Sequence, residues 1–490
     1  MEGYTRDDLG YCVPASAGGD DSDTQSGTVN DTAADTGSPV AWITLPASCE
    51  APTTLGTDPI TQLDELLPGE GGLLYEMVDI ELLDGVAYVV GQGGLLLVDA
   101  TPGAAAVIGG GVSDRFHRVE PLSPGFVALT HRDRGIELVD VSDPADLVRV
   151  STISARGWEG LAYVDGYLFV SARDEGVVVL DVSEPQAPSR VAEAAGLQAP
   201  WELSKARDGW IYAADNTLGV VPIDIADPLA PVVGEPVDVG GPVLHVAVAG
   251  DHVYAAAGGT GVVVLDLSDP AAPLPVATLP TGGSVVAVAV ADGLLYAADH
   301  TGLAVWDVSD PGSPLPLGRE ETPQFALGVA ASDDVAWVTD WTALESWAVD
   351  RDARSPEGSL SSTEVLLPDT GGSDEITLAN LGGAELSLLG ATSSDPRLAV
   401  AVSAEGLAPG DIARVQLTFT ADGAPLDATV CIATDDADGA LKSIRVSTAG
   451  YDPYVGQPAP DFALPGSDGN TYRLSEQLGH PVMLVYFATW

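Results

Sequence analysis

Residues 55–354 consist of short apolar, β-branched runs bounded by Gly, Asp or Pro, and they lack the 3.6-residue period of a helix. The stretch 243–279 shows the unit clearly. Val243-Leu-His-Val-Ala-Val-Ala-Gly250, His252-Val-Tyr-Ala-Ala-Ala257, Gly261-Val-Val-Val-Leu-Asp-Leu267 and Leu274-Pro-Val-Ala-Thr-Leu279 read as four antiparallel strands. The third run ends in Leu265-Asp-Leu-Ser-Asp-Pro270, and the chain repeats this punctuation. It recurs as Val139–Pro144, Leu180–Pro185, Ile223–Pro228 and Trp306–Pro311, with weaker copies at Val98–Pro102 and Val349-Asp350. The leading aspartates, Asp99, Asp140, Asp181, Asp224, Asp266, Asp307 and Asp350, are 41, 41, 43, 42, 41 and 43 residues apart. A fixed period of this length marks one supersecondary unit repeated.

Six of the seven units carry an aromatic residue in the second strand: Tyr88, Phe169, Tyr212, Tyr254, Tyr296 and Trp337, with Ala128 the exception. Such rings suit the packing of one sheet on the next. Seven four-stranded units predict a seven-bladed β-propeller, whose radial closure removes exposed sheet edges. The seventh unit lacks a fourth strand, because Arg351-Asp-Ala-Arg-Ser-Pro356 leaves the pattern. A strand from within Ile43–Leu67 is expected to complete it. The Asp-Val-Ser-Asp-Pro motif, preceded by Gly-Val-Val-Val-Leu or Gly-Leu-Ala-Val-Trp, resembles the LVIVD repeat family of extracytoplasmic propellers. That resemblance implies the fold and a surface or secreted location, and no single activity.

Residues 355–450 alternate strand and turn without the repeat, through Ile376–Leu386, Leu407-Ala-Pro-Gly-Asp411, Val415–Thr420 and Ala428–Asp436. They resemble the Ig-like sandwiches of the abnormal-spindle and hydin type, found in bacteria as choice-of-anchor modules, which imply a spacer. Residues 451–490 resemble the opening of a redoxin, through Val455-Gly-Gln-Pro-Ala-Pro-Asp-Phe-Ala-Leu464, Ser467-Asp-Gly-Asn-Thr-Tyr-Arg-Leu-Ser-Glu476 and Gly479–Trp490. This group, the AhpC/TSA and thioredoxin-like proteins, carries its first catalytic cysteine at a helix N-terminus after such a Phe-x-x-Trp strand. The Phe487-Ala-Thr-Trp490 ending favours the thiol-disulfide reductases over the peroxidases. On this reading the thioredoxin fold is truncated before its Cys-x-x-Cys, and the chain as it stands has no catalytic residues. The expected division is then 1–54 acidic tether with a closing strand, 55–354 propeller, 355–450 sandwich and 451–490 redoxin start. The fold class is mainly all-β, with a final α/β segment.

Composition narrows the partners. Nineteen basic residues face 72 acidic ones for a net charge of −53, and only Lys205 and Lys442 are lysines. This excludes nucleic acid and anionic membrane surfaces as partners and predicts self-repulsion that salt relieves. Residues 13–40, mostly Asp, Thr, Ser and Gly, read as a self-repelling spacer. No apolar run is long enough to span a membrane, and Met1-Glu-Gly-Tyr-Thr-Arg-Asp-Asp8 lacks the apolar core of a signal peptide. An extracytoplasmic location therefore expects a true N-terminus upstream, where a lipid anchor would also belong. A Cys12–Cys49 disulfide, contributing roughly 4 kcal/mol, and two free thiols both fit the sequence. Cys431 alternates with apolar positions and reads as a small core residue.

The candidate chemistry is sparse. The aspartates of Asp-x-Ser-Asp-Pro suggest a ring of cation ligands, but their spacing to Ser and Pro fits a turn in which they accept backbone N–H bonds. The turn Thr434–Gly439 fails as a calcium loop, because its twelfth position is Arg445 where a bidentate Glu is required. The six histidines (117, 131, 245, 252, 300, 480) show no metal-ligand spacing, and no hydrolase or phosphate-binding motif occurs. Neither a metal nor a cofactor is expected. Trp158, Glu159, Trp201, Glu202 and His245 fall at similar places in first strands, which line a propeller's channel, and are the residues expected to meet any ligand there. The expected whole is a monomeric extracytoplasmic protein whose propeller serves a redoxin-type oxidoreductase as a recognition or docking platform for a protein or small molecule. The alternative is a non-enzymatic cell-surface interaction protein.

Overall fold

The computed structural model describes residues 42–50, 58–67 and 75–448, except 124, 132, 437 and 438. It also describes the short strands Tyr4–Arg6, Cys12–Pro14, Ala463–Pro465 and Thr471–Arg473. The acidic spacer and the redoxin-like segment lie outside the described residues apart from these strands. Every element among the described residues is a strand.

Residues 60–349 form seven four-stranded antiparallel sheets, numbered here in chain order. Their first strands are Tyr75–Leu83, Arg118–Ser123, Trp158–Val164, Pro200–Leu203, His245–Ala249, Ala287–Ala291 and Gly328–Ser332. Each touches the next, and the seventh touches the first, so they surround a central channel. Left-handed Asp-Gly pairs, among them Asp84-Gly85, Asp165-Gly166, Asp208-Gly209 and Asp292-Gly293, make the tight turn from first to second strand. A separate apolar core fills each gap between neighbouring sheets, including the gap between seventh and first. Each of the six second-strand aromatic residues enters the core shared with the following sheet: Tyr212 packs beside Val243 and Val263, and Trp337 beside Ile80 and Leu96.

The repeated aspartate is a turn device. Asp140 Oδ1 accepts the backbone N–H of Ser142 at 3.0 Å and also its hydroxyl, and Asp181 and Asp266 do the same for Ser183 and Ser268. The second aspartate repeats the move, as Asp143 accepts from Ala145 and Asp269 from Ala271. These carboxylates are occupied by the turn itself.

Ile60–Leu66 pairs antiparallel with Leu344–Val349 and completes the seventh sheet. Ile60 is buried among Leu317, Trp347 and Val349. Asp64 ties the strand to both sides of the junction, accepting from Ser346 Oγ at 2.7 Å and from the Gly103 N–H of the first sheet at 2.8 Å.

Residues 358–448 form two further sheets on one core. One contains Gly358–Leu360, Gly372–Asn380, Ile412–Phe419 and Leu398–Val402; the other is five-stranded and centred on Asp427–Thr434 and Leu441–Thr448. Two expectations are corrected here. The segment 42–49 belongs to this body, not to a tether, since Leu45 enters its core and Ile43 bridges Val402. Cys431 is half-buried, and it forms a disulfide with Cys49 across a Cα separation of 6.0 Å. A period-2 strand reading cannot see this, because the partner arrives from 382 residues away.

Candidate functional site

Strand register defines the channel in layers. The fourth residue of each second strand pairs with Ile80, Val119, Leu161, Leu203, Val246, Val288 and Val329 in turn. The preceding residues therefore form one ring: Asp79, Arg118, Gly160, Glu202, His245, Ala287 and Gly328. Four of these ring members are ionisable types and three are small. Gly160 has to be small, because a Cβ there would lie 2.4 Å from the Glu202 Cα.

The four polar members hold one another and the neighbouring backbone. Arg118 is ion-paired with Glu202 and lies 4.0 Å from Asp79. Asp79 Oδ2 accepts the Val119 N–H at 2.9 Å, and Glu202 Oε1 accepts the Leu161 and Leu203 N–H groups at 3.1 and 3.0 Å. His245 Nδ1 faces the Val288 N–H at 3.5 Å, matching a neutral imidazole. Burial, reinforced by Arg118 and Lys205, pushes His245 down to about 3. Burial pushes Asp79 up to about 7 against the pull of Arg118, and raises Glu202 and Glu120 as well. Carboxylates here outnumber the cations that compensate them.

The channel has two unlike ends. One is a cavity of about 150 Å³ with Asp79, Glu81, Glu120, Glu202, Lys205 and His245 in its wall. Lys205 Nζ binds Glu81 at 2.8 Å, and the Glu81 charge holds the ammonium above its usual range. The other end is apolar. The residues one step before the charged ring, Val78, His117, Trp201, Leu244, Val286 and Leu327, encircle a cavity of about 300 Å³ floored by Arg118. The ends of the strands His300–Asp307 and Leu315–Ala326 add His300 and Phe325 to its rim, and a loop adds Trp341, with Phe325 6.0 Å from His300 and 6.3 Å from Trp341, ring centre to ring centre, both edge-on. His300 and Trp341 have left-handed backbones, φ 64° and 58°, a conformation bulky residues rarely take. The fully buried Asp340 fixes the Trp341 loop, accepting the N–H groups of Gln324, Thr342 and Ala343. Strain held in place beside a cavity is characteristic of binding sites.

Of the five residues expected from the sequence, Glu202 and His245 share the charged ring and Trp201 faces the apolar mouth. Trp158 lines neither cavity; it is buried between the second and third sheets and donates Nε1–H to Glu175 at 3.0 Å. Glu159 is buried and ion-paired with Arg173 at 3.2 Å, whose guanidinium lies 5.7 Å from the Trp201 ring centre. A one-residue register difference separates the two Trp-Glu pairs. Leu161 and Leu203 occupy equivalent places, so Glu202 corresponds to Gly160 and Trp201 to Glu159. Asp79, Arg118 and the apolar ring other than Trp201 escaped the sequence reading. Counting back from each hairpin turn instead of matching Trp-Glu would have reached most of them.

The profile of the LVIVD repeat matches residues 159–193, 240–280 and 282–322, which are the third, fifth and sixth sheets. The chain is a β-propeller protein with LVIVD repeats. No curated protein matches it. The LVIVD propeller is similar to a chain of the mitotic checkpoint complex, at 15% identity and TM-score 0.49, over 62% of this chain and 99% of that one. It is also similar to the WD40 β-propeller domain of Doa1, at 12% and 0.48, over 60% and 98%. A third similar structure is a catalytically inactive virginiamycin B lyase from Staphylococcus aureus with quinupristin, at 8% and 0.48, over 59% and 100%.

Proposed function

We propose that this protein is a recognition platform, a seven-bladed propeller whose apolar channel mouth receives an aromatic or aliphatic side chain presented by a protein partner. One observation carries the reading: six of the seven mouth-ring positions form an apolar and aromatic wall, to which two left-handed backbone positions add His300 and Trp341. Concave apolar sites with a few fixed polar groups are where ligands bind. Peptides selected from a display library on the wild-type chain test it. They are expected to carry an apolar anchor and to lose binding about tenfold or more to Trp341→Ala and Trp201→Ala, the scale of a hot-spot residue. Selected peptides that bind both variants unchanged would overturn the reading.

In the same proposal the platform serves an extracytoplasmic redoxin-type thiol-disulfide oxidoreductase, with an Ig-like spacer between. The redoxin-like run 455–490 supports the enzyme, and the Cys49–Cys431 disulfide supports an oxidising compartment. Insulin reduction by a chain extended past Trp490 is the test, and an inactive extended chain would favour the purely non-enzymatic surface protein.

A further inference from the structure

Outside the channel, three side chains from separate segments converge on one point of the second sheet. His131 ends the second strand, Glu137 lies on the third strand, and Asp114 comes from the loop that enters the sheet. One ligand atom from each lies within 4.8 Å of the other two. His131 Nε2 is 3.2 Å from Glu137 Oε1 and 4.0 Å from Asp114 Oδ2. The imidazole is 97% buried against Phe116, at a ring-centre distance of 4.4 Å, yet Nε2 has no hydrogen-bond partner. A buried nitrogen that faces a carboxylate without forming a hydrogen bond to it calls for an explanation.

We propose that Asp114, His131 and Glu137 bind one divalent cation of the zinc class through Nε2, Oε1 and Oδ2. Zinc–nitrogen and zinc–oxygen bonds near 2 Å place tetrahedral ligand atoms roughly 3.3 Å apart, close to the His131–Glu137 separation, while Asp114 has to draw in from 4.0 Å. The carboxylates are already oriented for this. Arg149 holds the other oxygen of Glu137, and Arg134 holds the other oxygen of Asp114, so each presents its remaining oxygen to His131. Outer partners of this kind orient the ligands of metal sites. An imidazole with two carboxylates suits zinc or manganese better than calcium, which prefers all-oxygen shells. Glu137 also lines a surface cleft with Arg134 and Thr152. Arg134 Nη2 also lies 3.1 Å from His131 Nδ1. Metal at Nε2 requires a proton on Nδ1, so Arg134 must release that contact, which its 58% exposed side chain permits. The competing account is a metal-free cluster in which His131 Nδ1 accepts from Arg134 and Nε2–H faces Glu137.

Calorimetric titration of Zn²⁺ into the tag-free full chain, stripped with EDTA and carrying Cys12→Ser, distinguishes the two. One saturable zinc per chain is expected, with a raised melting temperature. Asp114→Asn should weaken it about tenfold or more, and His131→Gln should abolish it. Asp114 sits in a loop, so its variant tests the site even if the buried His131 substitution impairs folding. The absence of a one-to-one zinc heat in the parent, or equal binding in folded variants, would overturn the proposal.

Discussion

Arg118 of the second sheet is ion-paired with Glu202 of the fourth, so the pair spans the position that Gly160 leaves open in the third. Removing the guanidinium leaves Asp79 and Glu202 buried without it. Breaking a buried pair from one side costs about 3–5 kcal/mol. Arg118→Met should therefore lose about that much stability at pH 7 in urea denaturation. The loss should shrink at pH 5, where the freed carboxylates take up protons. An equal loss at both values would show that packing, not charge, is the role of Arg118.

A second carboxylate sets the pH response of the ring's junction. Glu345 is fully buried opposite Glu65 of the closing strand, with one oxygen accepting from Gln62 at 3.2 Å and the other unpartnered. Burial, with Asp340 and Glu65 nearby, pushes it from 4.5 up to about 7. Between those values the folded chain keeps a proton that the unfolded chain has released, so stability falls as pH rises from about 4.5 to 7. Glu345→Gln removes this slope. It should match the wild type near pH 5 and exceed it at pH 8 by on the order of 1–3 kcal/mol, read from melting temperatures across that range.

The closing strand offers a direct test of how the ring is held. Ile60→Ala empties part of the core shared by the sixth and seventh sheets, at a cost of about 2–5 kcal/mol. Deleting residues 1–67 should lower the melting temperature by many degrees and promote self-association, because Leu344–Val349 becomes a bare edge. Deleting residues 1–41 alone should do neither. Thermal scans and light scattering on the two truncations settle the comparison.

Salt should stabilise this protein. A net charge of −53 opposes compactness, and ions screen that repulsion. The melting temperature is expected to climb between low salt and 1 M NaCl. A flat or falling curve would mean that specific ion pairs such as Arg118–Glu202 outweigh the net field.

The sequence showed local devices well and long-range ones poorly. The Asp-x-Ser-Asp-Pro turns were legible because donor and acceptor are two residues apart, as with Asp266 and Ser268. Second-strand aromatics such as Tyr254 were legible because burial follows from period 2 and a repeated place. Trp158 misled because it lies three residues before Leu161, whereas Trp201 lies two before the equivalent Leu203, so identical Trp-Glu pairs fall in different layers. The Cys49–Cys431 bridge and the His131 cluster join segments that no spacing rule connects. His300 and Trp341 reach the mouth through left-handed backbones, a geometry with no signature in residues other than Gly, Asn or Asp.

The strand Ile60–Leu66 also dictates an order of events during synthesis. It leaves the ribosome before the rest of the seven propeller sheets, yet its partner Leu344–Val349 is made some 280 residues later. At roughly 5–20 residues per second, the strand waits for tens of seconds while six sheets have time to form without it. Cys49 waits longer still, until Cys431 emerges. Two early segments of the chain are thus among the last to find their places, and an unfinished chain keeps its ring open.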